Sequence, residues 1–315
     1  MRSARALFLL GLAIAGGNLA AVATCDAQVF VPRRGEGSFT LNQEYLRVDT
    51  HLFSSDLGNG LDVGDGVHTI HGNRADMGKI RSYTVDAGVD YGLTSRLAAS
   101  ADVAYITSRY RGLLPEGPLD NGNFHGAVQD VHIGARFALL RAPFAVTPTL
   151  DYEFPTHAYS VLGHSVIGRH LNTLRAGVGI ARDLHPWLPA AYVEAHYEHG
   201  FVENMAGFSL DNNVIGIDAG YSITPELSVR AFGSHLSTVD GIDWLTDLAT
   251  PEGMVEHFDA HDVAAKERRT VVGGGAGYDV TARTSFFLNV VATVAGGNTH
   301  AGTGFNLGTN WNFGR

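Results

Sequence analysis

Cysteine is nearly absent from this chain: Cys25 is the only one in 315 residues, so no intrachain disulfide can brace the fold. Long apolar runs are absent as well. After the N-terminal region no stretch reaches the roughly 18 consecutive apolar residues expected of a membrane-spanning helix, which excludes an ordinary helical membrane protein. Positive charge is scarce, with 22 Lys and Arg against 32 Asp and Glu, a net charge of -10. No basic stripe interleaved with aromatics is present, and nucleic acid is therefore excluded as a partner. Gly273-Gly274-Gly275 opens no helical pattern and is followed by no phosphate-binding lysine, so it is not a nucleotide loop. At 45% hydrophobic and 17% charged, the composition gives no support to extended disorder.

What is present begins at the N-terminus. Arg2 and Arg5 precede an apolar run from Ala6 to Ala15, and the small residues Ala21, Ala23 and Ala27 follow. That is the layout of a secretory signal peptide, and its apolar core falls short of the ~20 residues that would anchor a helix in a bilayer. We expect a signal peptide over residues 1–27, cut after Ala23 or after Ala27, and a periplasmic N-terminal segment over 28–37. Cys25 lies in the cleavage zone, and Thr24 before it fits a lipoprotein box poorly.

Residues 38–315 alternate. From Ser82 to Tyr91, Tyr83, Val85, Ala87, Val89 and Tyr91 share one parity, while Ser82, Thr84, Asp86, Gly88 and Asp90 share the other. A period of two means a strand with one apolar face. The same alternation recurs around Val131–Leu139, Phe144–Phe154, Ala191–Glu198, Phe286–Val294 and Phe305–Phe313. Short turns near 92–96, 140–143, 183–189, 224–226 and 281–284 alternate with longer polar connections at 53–78, 109–125, 155–171, 201–211, 239–269 and 296–301. Runs of about 9–11 residues with that asymmetry predict an all-β fold, a closed antiparallel transmembrane β-barrel of about twelve strands with both chain ends on the periplasmic side. The strands are expected near 39–52, 80–91, 95–108, 127–139, 143–154, 172–182, 189–200, 212–223, 226–237, 270–280, 284–295 and 303–313. Two strands break parity: Gln43 and Arg47 fall with Phe39, Leu41 and Tyr45, where a bulge could reset the face, and Phe232 falls with Arg230 and Ser234. Tyr83, Tyr91, Tyr105, Tyr152, Tyr197, Tyr221, Tyr278 and Trp311 sit where interfacial girdles would lie. The run Phe305–Phe313 reads as the C-terminal strand presented to the barrel assembly machinery, slightly offset by Gly314 and Arg315.

The polar parity carries the candidate lumen-lining residues: Asp86, Asp90, Asp102, Asp130, His132, Arg136, Asp151, Glu153, Arg175, Glu194, His196, Glu198, Asp218 and Arg230. They would either pair into a network that stabilises the wall or set the field along a solute path. Metal binding by Glu194, His196 and Glu198 is not expected, because along a strand they spread over ~13 Å. His257 and His261 read as an exposed loop pair lacking a third ligand. His235, Ser237 and Asn213 resemble the His-x-Ser and Asn arrangement of outer-membrane phospholipases, although Thr238-Val239 replaces the expected Asn-Gly and the Asn comes from the preceding strand. His164-Ser165 would point to opposite faces of a strand. No catalytic residue, cofactor or metal is assigned from these patterns.

Three segments carry a family resemblance: Gly126-Ala127-Val128-Gln129-Asp130-Val131-His132-Ile133-Gly134-Ala135-Arg136-Phe137, then Thr147-Pro148-Thr149-Leu150-Asp151-Tyr152-Glu153-Phe154-Pro155-Thr156, then Leu174-Arg175-Ala176-Gly177-Val178-Gly179. In them the chain resembles outer-membrane barrels described as transporters of the phenol meta-cleavage degradation pathway and, more loosely, the hydrocarbon and fatty-acid transport barrels. The resemblance implies a non-enzymatic barrel among outer-membrane lipid that passively admits a small organic solute, aromatic or hydrophobic. A structural or adhesive barrel is the alternative, drawn from the loop at 239–269 with Trp244 and Phe258; a phospholipase-like hydrolase is the remote one.

Overall fold

The computed structural model describes residues 29–55, 70–76, 78–112, 117–248, 252 and 258–314; the expected signal peptide lies outside them. The strands run in order as β1 (Gly37–Leu52), β2 (Ile70–His71), β3 (Arg74–Ala75), β4 (Lys79–Gly92), β5 (Leu97–Arg111), β6 (His125–Phe137) and β7 (Ala145–Phe154). They continue as β8 (Thr173–Asp183), β9 (Ala191–Val202), β10 (Asn212–Ser222), β11 (Leu227–Thr238), β12 (Arg268–Asp279), β13 (Thr284–Gly297) and β14 (Thr299–Phe313). Strands β2 and β3 form a two-residue hairpin on the end of β1. The other twelve pair antiparallel with their neighbours, and β14 returns to β1 in register from Gly37↔Phe313 to Leu52↔Thr299. The sheet is a closed barrel. Closure leaves no strand edge with unpaired backbone groups facing hydrocarbon, where each would cost several kcal/mol.

Parity sets the two faces. Ile133, Phe137, Leu288, Val290, Phe305 and Leu307 are exposed on the outside, while Asn42, Asn289, Asn306 and Asn310 are buried inside. Ring contacts fall at two levels of the wall: Tyr45 with Tyr83 and Phe305 near mid-length of β1 and β14, and Tyr91 and Trp311 with Phe313 at the turn end. Amphipathic rings suit such levels in a membrane.

Three of the five short turns are built alike. Thr94, Thr224 and Thr281 each accept, through Oγ1, hydrogen bonds from the backbone N–H groups two and three residues on. A hydroxyl that closes its own turn needs no glycine there. With both described chain ends, these turns mark one end of the barrel; the longer connections lie at the other.

The two parity breaks resolve differently. In β1, Gln43 and Arg47 stay outside and no bulge resets the face between Phe39 and Arg47; the register shift comes later, between Val48 and Thr50. Leu46 and Val48 consequently turn inward and pack on Ile80 and Tyr110, giving the interior an apolar patch that the polar parity did not predict. In β11 no irregularity is needed. Phe232 faces inward and packs on Val271 and Val291, in space left by Gly273.

Residues 29–36 fold back into the turn end. Gly35 N–H donates to Gly92 O at 2.8 Å, Arg33 passes so near Gly92 that a Cβ there would collide with its carbonyl, and Val29 is buried against Ala145 and Ala181. Thr147 Oγ1 holds Val29 O at 2.5 Å. The segment thus reaches from β4 to β7 and β8, several strands around the ring.

Candidate functional site

Ten of the fourteen candidate residues are buried: Asp86, Asp90, Asp102, Asp130, His132, Arg136, Glu153, Glu194, His196 and Asp218. Asp151, Arg175, Glu198 and Arg230 are half-buried. They do not converge on one pocket; cross-strand register gathers them into local groups around the wall. On β4 to β6, Arg136 Nη2 donates to Asp90 Oδ1 at 2.5 Å, and His132 Nδ1 meets Asp102 Oδ1 at 2.7 Å. His132 Nε2 stands 3.7 Å from Glu153, whose other oxygen is 3.9 Å from Arg175. Arg175 also donates to Asn212 at 2.9 Å and lies in register with Asp151. On β9 to β11, Asp218 accepts from Arg230 Nε at 2.9 Å and from Tyr192 OH at 2.6 Å, and its register partner on β9 is Glu194. Asp86 pairs in register with Asn42. His196 lies over Gly216, and Glu198 over Gly177, each filling the space of an absent side chain. Buried charge without a partner is costly, and most of these groups have one.

Toward the loops the wall is incomplete at two seams: β13 and β14 pair only from Thr284↔Trp311 to Ala292↔Thr303, and β6 and β7 form the other. Strand β6 pairs with β7 only from Val131↔Phe154 to Arg136↔Thr149, although β6 begins at His125 and pairs with β5 along its length. At the break Gln129 and Asp130 together oppose Ala104, a bulge that buries both side chains. Residues 155–172 turn into this breach, with 163–168 buried. Tyr159 OH donates to Asp130 Oδ1 at 2.5 Å and accepts His170 N–H at 3.0 Å. Burial pushes the Tyr159 phenol above its ordinary value, and Asp130 beside it adds to that. On the outer side of the seam lies a wide-open, mainly apolar depression of about 600 Å³ lined by Ile133, Tyr152, Phe154, His157, His170 and Asn172.

The long-loop end is packed. Trp244, Val166, Leu171, Leu210, Ile242 and Val263 form a buried cluster drawn from three connections. His261, expected to be exposed, is buried here, because the segment around it folds under Trp244, whose indole donates to His261 O at 3.0 Å. His257 lies outside the described residues. His164 and Ser165, expected to diverge as on a strand, belong to a buried loop in which both side chains meet Asp120, at 2.8 and 2.9 Å.

The phospholipase-like set is in register but not in contact as a triad. Asn213 and Ser237 are cross-strand partners. His235 pairs with Thr270 Oγ1 at 2.9 Å, and Asn213 Oδ1 accepts from Tyr197 at 2.7 Å and meets His199 at 3.0 Å. Base and orienting amide are engaged elsewhere.

A crystal structure of an outer membrane channel from Pseudomonas putida F1 is similar to this chain with a TM-score of 0.65 at 14% identity, over 91% of this chain and 98% of that one. The chain has the fold of an outer-membrane channel. The NanC porin, at 12% identity over 87% of this chain and 98% of that one, and the Pseudomonas putida toluene transporter TodX, at 11% over 95% and 96%, have TM-scores of 0.49 and 0.44. No family model and no curated protein matches the sequence.

Sequence reasoning missed the seam between β6 and β7 and the packed loop end. Neither has a local signature: the alternation of β6 runs past the bulge, and the loop residues meet only after the ring has closed.

Proposed function

We propose that this protein is an exported barrel of the bacterial outer membrane that passively admits a small organic solute, aromatic or otherwise hydrophobic, without acting on it. The observation that carries this reading is the breach between β6 and β7 with the apolar depression outside it. The N-terminal segment packs at the turn end and the Trp244 cluster at the loop end, and both favour a route off the barrel axis. In this reading molecules that partition into lipid take a lateral route through the seam, past the segment 155–172 that occupies it. In this reading the fourteen charged and polar residues, from Asp86 to Arg230, line the inner path and disfavour the flow of ions and sugars. The resemblance of residues 126–137, 147–156 and 174–179 to meta-cleavage transport barrels points to aromatic compounds.

Reconstitution in liposomes tests it, with flux measured for phenols, aromatic acids, alkanes and sugars beside a phospholipid-hydrolysis control. Aromatic flux above empty liposomes, reduced by Ala158→Trp in the depression, is the expected result. A folded barrel with no flux would leave the structural reading, which the crowding of both ends favours. Hydrolysis lost in Ser237→Ala would instead establish the phospholipase-like alternative.

A further inference from the structure

At the long-loop end four histidines and two aspartates from separate segments meet out of water. His51 is next to the last residue of β1, His300 is the second of β14, Asp120 follows β5, His164 follows β7, and His261 and Asp262 follow β11; all six are buried. Ligand atoms of His164, His261 and Asp262 lie within 4.8 Å of one another.

The details are those of a metal centre more than of a hydrogen-bonded core. Asp262 Oδ1 stands 3.6 Å from His261 Nε2 and 3.7 Å from His300 Nε2. These separations are too long for hydrogen bonds. They suit the edges of a coordination tetrahedron, which are about 3.4 Å when ligands sit about 2.1 Å from the ion. Both Asp262 carboxylate oxygens and His300 Nε2 are buried without a hydrogen bond among the described residues.

The imidazoles are also oriented from behind. His164 Nδ1 is held by Asp120 Oδ2 at 2.8 Å, and His261 Nδ1 by Phe258 O, while His261 Nε2 stands toward Asp262. A carboxylate or carbonyl behind a histidine fixes the tautomer of a metal ligand. We propose that His164, His261 and Asp262 bind a divalent transition ion of the zinc type, that His300, which stands beside Asp262 but outside their 4.8 Å group, moves in as the fourth ligand, and that Asp120 is a positioning residue. Three imidazoles and one carboxylate select zinc-like ions over calcium or magnesium. The bound ion would fasten the connections after β7 and β11 to β14 across the mouth.

The test uses the full folded barrel, purified without a histidine tag, stripped with chelator and titrated with Co²⁺ and then Zn²⁺. One Co²⁺ per chain with the visible absorption of a tetrahedral site, bleached by Zn²⁺, is expected. Asp262→Asn and His261→Ala should abolish that spectrum, and Asp120→Asn should weaken binding by about 10–100-fold. Heat-modifiable gel mobility reports whether each variant has folded, and the near-isosteric Asp262→Asn keeps the test informative if His261→Ala does not. Folded wild-type protein that binds no stoichiometric ion, or binding unchanged in Asp262→Asn, would overturn the proposal.

Discussion

Phe232 lies across Gly273: a Cβ on that glycine would stand 2.4 Å from the Phe232 ring and 2.8 Å from the Val290 carbonyl oxygen. Inward bulk on β11 and the missing side chain on β12 are one packing unit. Gly273→Val should destabilise the barrel by about 1–3 kcal/mol, the usual penalty for overpacking. Urea titration in detergent checks it. Adding Phe232→Ala should recover part of the loss, and a fully additive double variant would refute the pairing.

Leu288 is half exposed on the outer face of β13, between Phe286 and Val290. Leu288→Arg sets a charge against hydrocarbon and should cost about 2–4 kcal/mol if the position is near mid-membrane. Folding yield into lipid vesicles of graded urea content measures it.

Arg230 and Asp218 form a pair at 2.7 Å with both side chains nearly enclosed. Removing one member of a buried pair typically costs about 3–5 kcal/mol. Arg230→Met should lose stability on that scale if the interior is dry at β10 and β11, and under about 1 kcal/mol if water fills it. Equilibrium unfolding therefore reports the wetness of the proposed path.

Asp243 ties Ser54, the 243–246 turn and Asn298 together, accepting from Ser54 Oγ at 3.0 Å, Leu245 N–H at 2.9 Å and Asn298 Nδ2 at 3.3 Å. Partial burial opposes its charge, but these hydrogen bonds outweigh that and hold its carboxyl below the ordinary 3.8. A depressed carboxylate stabilises the fold fully above its unfolded value and loses that contribution as pH falls through the lower folded one. Trp244 fluorescence, in a background of Trp187→Phe and Trp311→Phe, should shift to the red as pH drops below about 3.8. Asp243→Asn should remove this transition.

The barrel could be read from the chain because strand parity is local. Each inward Asp or Asn stands next to an outward Val, Leu or Tyr, and threonine turns space the strands without help from distant residues. The inward position of Asp102, His132 and Asp218 follows from the same alternation. Which partner each would find did not, since His132–Glu153 and Arg175–Asn212 depend on register across seams. Still less legible were His51, His164, His261 and His300, hundreds of positions apart at the extremes and brought together only by the ring and its folded loops. The inward turn of 155–172 was hidden for a related reason: Gln129 and Asp130 look like ordinary alternating residues until β7 ends opposite Val131.

The register shifts at Val48/Thr50, Val103/Tyr105 and Thr270/Val271 divide the barrel lengthwise. Two fall toward the loops and the third at mid-length of β5, with no other between them and the short turns. The ladder there is continuous, and a backbone amide can exchange its proton with solvent only when several strands loosen together. Farther from the turns the ladder is interrupted at these three places around the ring, and amides beyond each interruption open in smaller units. The wall is therefore graded in stiffness: its slowest-exchanging amides lie near the turns, and its most compliant backbone borders the seam between β6 and β7.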